Sequence, residues 1–332
     1  MQKPKQTSFE APVSFRREAD FFDSVVPATH AFRKLSQLIN FSELVRPLRS
    51  LYSDFGQTGI DVEKGFKALL VQFWEDYSDR EMEHAMRENM AVRWFCGFGL
   101  TETTPDHSYC HKLRNRIGTK HLADLFKQVG RILEQKGLVG KTFYFIDASS
   151  IITKNALWKE RDKAIAEGEA KLNNQNVDQY AADPDARWGA KGKDKFWFGY
   201  KRNVAVDMRF GLIVKVCVTN ASVLDYEVIE SVLPDAGMVF LDKLYDVAEA
   251  HRAIRAKGLG DATLLKSNRK NKNRDLDRWR SSVRMPFEST FSKQEKRARY
   301  RSTRKVAFQC FFEAIVHNLQ KAVTFLPIPT PA

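Results

Sequence analysis

Gly140-Lys-Thr-Phe-Tyr-Phe-Ile146-Asp147-Ala-Ser-Ser150 divides the chain into two textures. Residues 142–146 are a short apolar run, closed by a glycine on one side and by an aspartate and two serines on the other. Such a run between turn formers reads as a strand buried on both faces. Residues 196–207 and 211–219 read as two longer strands, joined across Met208-Arg-Phe-Gly211 as a hairpin. A helix around Val228, Ile229 and Val232 follows. Then come a short strand at 238–241, a helix at about 247–257, a strand at 262–265 and an apolar helix at about 306–323. Three strands in succession, then strands alternating with helices, make an α/β fold: a mixed sheet flanked by helices. A polar, largely helical insertion at about 155–195 interrupts this order after the first strand.

Upstream, the apolar residues recur at helical spacing. Val62, Phe66, Leu69, Leu70, Phe73 and Trp74 share one helix face. Ser78-Asp-Arg-Glu81 is a capping box that opens the next helix. Leu122, Leu125, Phe126, Val129, Ile132 and Leu133 form a further stripe, ended by Gly137. Between them Pro105-Asp-His-Ser108 turns the chain into a basic helix with Lys112, Arg114 and Arg116. The expected division is an all-α domain at 1–140 and an α/β domain at 141–325.

The 332 residues carry 54 Lys and Arg against 41 Asp and Glu, a formal net charge of +13. The excess is concentrated. Residues 266–305 hold fifteen basic residues and only four acidic ones, threaded with Trp279, Phe287, Phe291 and Tyr300. That composition makes 266–305 the expected DNA-facing segment, and phosphate polymer the expected partner. No apolar stretch approaches the roughly 18–20 residues that span a bilayer. The opening Met1-Gln-Lys-Pro-Lys has no hydrophobic signal region, and four cysteines are too few for a disulfide framework. The expectation is a soluble, cytoplasmic, nucleoid-associated protein.

Asp147 and Asp242 each directly follow a short apolar strand. One such aspartate reads first as a cap for the next element. Two of them on strands that could be neighbours read as a cation site. Carboxylate oxygens without His or Cys suit Mg²⁺ or Mn²⁺. Glu288 is the third candidate, one of the few acids in the basic segment; its alternative reading is a surface glutamate paired with Arg284 four residues back. Three carboxylates can hold two cations about 3.5–4 Å apart, the arrangement used for in-line displacement at phosphorus.

At these residues the chain resembles a DDE-type bacterial insertion-sequence transposase, of the family named after insertion sequence five. The N-terminal part of the resemblance is carried by Arg93-Trp-Phe-Cys-Gly-Phe-Gly-Leu100, Pro105-Asp-His-Ser108 and Leu113-Arg-Asn-Arg116. The catalytic part is carried by Ile146-Asp-Ala-Ser149, Phe198-Gly-Tyr-Lys201, Val218-Thr-Asn-Ala221 with Asp225, Leu241-Asp-Lys243 with Tyr245, and Arg284 with Glu288, Phe291 and Arg297-Ala-Arg-Tyr-Arg301. The resemblance implies a ribonuclease-H-like catalytic fold and recognition of terminal inverted repeats in double-stranded DNA. It also implies Mg²⁺-dependent cleavage and strand transfer by a homo-oligomer on DNA. Asp147, Asp242 and Glu288 would be the catalytic and metal-binding triad. Lys201, Lys243, Arg284, Lys293, Lys296, Arg297, Arg299 and Arg301 would face DNA. Leu244, Asn203, Ser281 and Glu295 depart from the family pattern.

Other chemistries are weaker readings. Gly189-Ala-Lys-Gly-Lys193 lacks the spacing and hydroxyl of a nucleotide phosphate loop. Ser149 and Ser150 have no nucleophile-elbow frame, and His107, Cys110, His111 and Cys96 fit no standard zinc spacing. Two neighbouring functions stay open at this level: a ribonuclease-H-like nuclease that cuts without joining, and an inactive DNA-binding repressor.

Overall fold

The computed structural model describes residues 17–52, 59–153, 173, 177, 181–192, 195–270, 272–292 and 296–326, with the side chains of 288–292 left out of the description. The apolar run at 142–146 is only the first half of a longer strand, β1 (Phe143–Ile152). Asp147-Ala-Ser-Ser150, expected to leave the sheet, stays in it. The reason is tertiary. β1 pairs antiparallel with β3 (Lys195–Asp207) from Tyr144↔Asp207 through Asp147↔Val204 to Ile152↔Gly199. Short polar residues have little strand preference of their own, and the cross-strand ladder decides.

The remaining strands complete one sheet. β2 (Arg187–Lys191) and β4 (Ile213–Asn220) both pair antiparallel with β3. β5 (Met238–Phe240) lies parallel to β1, and β6 (Gly260–Asp261) parallel to β5. The spatial order β4-β3-β1-β5-β6, three antiparallel strands followed by two parallel ones, is the ribonuclease-H-like arrangement, with β2 added against β3. β2 corrects one expectation. The end of the 155–195 insertion is a strand rather than helix, and most of its remaining residues lie outside the described ones. β6 is shorter than the expected 262–265, yet the ladder runs on: the Ala262 and Leu264 amides donate to the Val239 and Leu241 carbonyls.

The hairpin between β3 and β4 is closed by Asp207. Its two carboxylate oxygens accept from the Gly140 and Phe210 amides, and Gly211 takes φ +69° to turn the chain. This aspartate is fully buried and its carboxyl is raised above the usual range, burial outweighing the backbone donors.

The N-terminal helices are α1 (Glu18–Val25), α2 (Ala31–Leu38), α3 (Phe41–Val45), α4 (Val62–Trp74), α5 (Asp79–Glu88), α6 (Met90–Cys96) and α7 (His107–Gln135). The capping box at Ser78 and Glu81 forms as expected. The basic helix and the third apolar stripe are halves of one helix, α7, broken at Gly118, whose φ of 65° and ψ of 170° are not helical. After the sheet's antiparallel half come α8 (Ile229–Val232), α9 (Ala248–Ala256), α10 (Arg274–Ser292) and α11 (Thr303–Phe325).

The sheet is covered on both faces, as its neighbouring apolar residues require. Tyr144, Ile146 and Ala205 pack with Ile229, Val232, Ala250 and Ile254 of α8 and α9. Phe145, Val204 and Val206 face the other way, onto α11. The core does not divide near residue 140. The same cluster continues from Phe308, Phe312 and Ile315 of α11 into Phe66, Leu69, Phe73 and Leu125 of the helical region. No helix among the described residues is long and apolar enough to cross a membrane.

Candidate active site

Register brings the two aspartates together. β1 and β5 pair in parallel with Phe145 opposite Phe240, so Asp147 and Asp242 stand at equivalent positions two residues further on. β5 ends between them, at Phe240. Asp147 is therefore a mid-strand residue whose neighbouring strand has just run out. Asp242 begins the loop that leaves the sheet. Carboxyl ends of parallel strands at the middle of an open sheet are where such sheets carry their sites.

The local hydrogen bonds define what each carboxylate has left to offer. Asp242 caps a short 3₁₀ turn (Lys243–Tyr245), its Oδ1 accepting from the Leu244 amide at 2.7 Å. The cap reading and the cation reading are compatible, because a carboxylate has a second oxygen. Asp147 Oδ1 accepts from the Ala148 amide at 2.8 Å. Burial pushes the Asp147 carboxyl up to about 6; the negative charge of Asp242 adds to this, while the Ala148 amide, Lys191 and Arg284 oppose it. A cation bound beside Asp147 would relieve that cost of ionisation.

Arg284 overhangs this pair. It lies on α10, is 9% exposed, and its guanidinium stands 5.2 Å from the centre of the Phe145 ring. Phe145 and Asp147 alternate onto the same face of β1. The arginine thus sits on the aspartate's side of the sheet. Glu288 follows one turn later in α10, which contains Pro286. Its side chain lies outside the described residues. Among the described residues, no three of His, Cys, Asp and Glu come close enough to hold a metal ion.

Behind the pair lie polar residues that the sequence analysis named only through the family pattern, without their contacts to one another. Tyr245 is buried, and its hydroxyl makes no hydrogen bond among the described residues. Burial raises that hydroxyl well above its ordinary pKa, with Asp225, Asp147 and Asp242 adding to the effect. Asp225 is ion-paired with Lys201 at 2.9 Å. Asn203, one of the departures from the family pattern, is fully buried with both amide atoms unpaired in the same sense.

The cations expected to face DNA divide into groups. Lys243, Lys296, Arg297 and Arg301 are exposed. Lys201 is turned to Asp225 and to the Val223 carbonyl. Arg299 points into the helical region, where it pairs with Asp76 and lies 4.9 Å from the Phe73 ring centre. Lys293 and Glu295 lie outside the described residues. Leu244 and Ser281, the other departures, are exposed.

The four cysteines are free. Cys96 and Cys110 lie in the core, where burial pushes their thiols up. His107 of the imagined zinc set is held by Glu83 at 3.1 Å.

The sheet has the ribonuclease-H-like strand order, with Asp147 on β1 and Asp242 just past the end of β5 at equivalent positions over its centre. Residues 140–319 match the family model described as Transposase DDE domain, more than half of the chain, and the protein belongs to that family of DNA-cleaving and strand-transferring enzymes. Residues 20–116 match the model described as Transposase domain (DUF772). A solved cryo-EM structure of a piggyBac transposase synaptic complex with hairpin DNA is similar over 90% of this chain and 76% of its own, at 9% identity and a TM-score of 0.37.

Proposed function

We propose that this protein is an insertion-sequence transposase, of the family named after insertion sequence five, that cleaves DNA at terminal inverted repeats and transfers the freed ends to a target. The observation that carries the reading is the acid pair: Asp147 and Asp242 in register on adjacent strands, in a chain of the transposase DDE family. A donor set of carboxylate oxygens with no nitrogen or sulfur suits a hard divalent cation, Mg²⁺ or Mn²⁺. Asp147, Asp242 and, by its position one turn beyond Arg284, Glu288 would hold it. When bound, such ions activate a water or 3′-hydroxyl and stabilise the leaving oxygen.

The protein's own residues supply the rest. Asp242 is fixed by its cap bond and Asp147 by its place in the β1–β3 ladder, so both are held before any ligand arrives. Arg284 brings positive charge to the same face, where it would meet a scissile phosphate and restrain it against the acids. Exposed Lys243, Lys296, Arg297 and Arg301 would extend that field along the polyanion. Lys201 and Arg299 serve the fold through Asp225 and Asp76. A homo-oligomer would bring two element ends together, the helical region supplying repeat recognition or subunit contact.

The test is incubation of the purified protein with labelled terminal-repeat duplex and Mg²⁺ or Mn²⁺. Cleavage with joining is expected. Cleavage alone would leave a nuclease, and binding alone a repressor. Asp147→Asn and Asp242→Asn should each lower cleavage by about a hundredfold or more while leaving duplex affinity within a few-fold. Wild-type cleavage by either variant would remove that aspartate from the mechanism.

A further inference from the structure

Between the break in α7 and the start of α11 lies a cavity of about 450 Å³, away from the acid pair's own elements. Its walls come from both halves of the chain. His111, Arg114, Asn115, Gly118 and Thr119 belong to α7; Tyr300, Ser302, Arg304, Lys305 and Phe308 belong to the loop and helix opposite. Among the described residues no acidic side chain lines it, and four of the ten lining residues are Arg, Lys or His.

The construction keeps that charge in place. Thr119 Oγ1 donates to the Arg304 carbonyl at 2.7 Å, which pins the first turn of α11 to the second half of α7. Gly118 carries no side chain, and the position a Cβ would take is only 3.3 Å from an Arg304 guanidinium nitrogen. The glycine therefore opens both the helix and the space for the arginine. At the floor, Arg114 is 8% exposed, clamped by both oxygens of Asp79 at 2.7 Å, with its guanidinium 5.3 Å from the Tyr300 ring centre. That cation is satisfied and structural. Arg304 and Lys305 are exposed, and His111 and Asn115 hold one another at 2.9 Å on the facing wall. The Ser302 and Thr303 amides are taken by Asp183 and Asp185, so the cavity's positive character comes from its side chains and not from a helix end.

We propose that this cavity seats a phosphodiester of the DNA backbone, so that the helical region and the catalytic sheet grip one duplex through a shared site. The inference rests on the DNA-binding part of the function proposed above and adds a place and a geometry to it. Arg304 and Lys305 neutralise the phosphate, while Asn115 and Tyr300 offer neutral hydrogen-bonding groups around it. Hydrogen bonds to phosphate fix register and orientation without reading sequence, which is the role expected of a joint between two regions.

The experiment measures affinity for a short fluorescent duplex across a salt series. The variants are Arg304→Ala/Lys305→Ala and, as a control for net charge, Arg252→Ala/Arg255→Ala on the exposed side of α9. Each neutralised phosphate contributes about 0.9 to the slope of log affinity against log salt. The cavity variant should lose about one to two units of slope and bind about tenfold more weakly near physiological salt. The control should keep the wild-type slope, and the melting temperatures of all three should agree. Equal slopes for both variants would overturn the inference and leave the transposase reading untouched. A wild type that binds with a steep slope, lost in the cavity variant, yet never cuts with Mn²⁺ would remove the transposase reading and leave the cavity standing.

Discussion

Asp147 shows how one residue carries both a cost and a use. Its carboxyl is pushed up to about 6 by burial and by Asp242. A folded-state value above the usual carboxylate range means that the unfolded chain ionises first as pH rises. The resulting stability is therefore complete below about pH 4 and is lost by about pH 6. Asp147→Asn abolishes that loss. In metal-free buffer at about pH 8 the variant should be more stable than wild type by on the order of 1–3 kcal/mol, and at about pH 4 the two should coincide. Calorimetric melting at the two pH values checks this, and a variant less stable than wild type at about pH 8 only would show that Asp147 is structurally favourable when ionised. Mn²⁺ should raise the wild-type melting temperature at about pH 8 and much less at about pH 5, where Asp147 holds a proton. Tyr245 belongs to the same scale. A buried hydroxyl without a partner costs about 1–3 kcal/mol, so Tyr245→Phe should leave metal-free stability equal or higher. A lower melting temperature in that variant would mean that the hydroxyl is bonded in solution.

At the scale of elements, β1 and β3 form the frame. Gly199 is the point of tightest contact between them: its φ is +155°, and a Cβ there would stand 2.1 Å from the Ile151 carbonyl oxygen. Gly199→Ala should destabilise the protein by about 1–3 kcal/mol or more, read from the denaturant midpoint, because a backbone atom cannot rotate away. α11 is held to the same frame by the Arg202–Glu313 pair at 2.5 Å, with Arg202 only 1% exposed. Arg202→Met alone strands a buried carboxylate and should cost about 3–5 kcal/mol, whereas Arg202→Met with Glu313→Leu should recover most of it. Much of this was legible from residue pattern. The apolar runs marked β1, β3, β4 and β5, and two aspartates at matching ends of two runs marked the candidate site. What was not legible depended on distant partners. Nothing local to Asp147-Ala-Ser-Ser150 says strand; the residues of β3 some fifty positions later impose it. Arg299 reads like any other cation in a basic tract until Asp76 and Phe73, from the other half of the chain, are beside it.

The whole molecule turns on α11, whose position could not be read from its own apolar stripe. Phe312 stacks on Phe73 with ring centres 4.6 Å apart and 15° between planes, and meets Phe66 at 5.6 Å. The same helix packs over β4 and carries Glu313 to Arg202 in β3. One helix therefore has the helical region on one side and the sheet on the other, and each hides the apolar surface that the other would expose. Two family matches, at 20–116 and 140–319, describe two regions of sequence but one continuous core. Cutting near residue 140 would uncover Phe308, Phe312 and Ile315 together, a contiguous apolar patch that a soluble monomer rarely shows. A fragment of residues 140–326 should therefore aggregate or remain a loosely packed state without a cooperative melt. The intact chain should unfold in one transition, followed alike by near-ultraviolet and far-ultraviolet circular dichroism. Phe312→Ala should lower that single transition by about 3–5 kcal/mol and keep it single. Two resolved transitions in the intact chain, or a well-folded fragment, would show that the regions are independent. The shared cavity at Gly118 and Arg304 would then join two separately stable bodies instead of one.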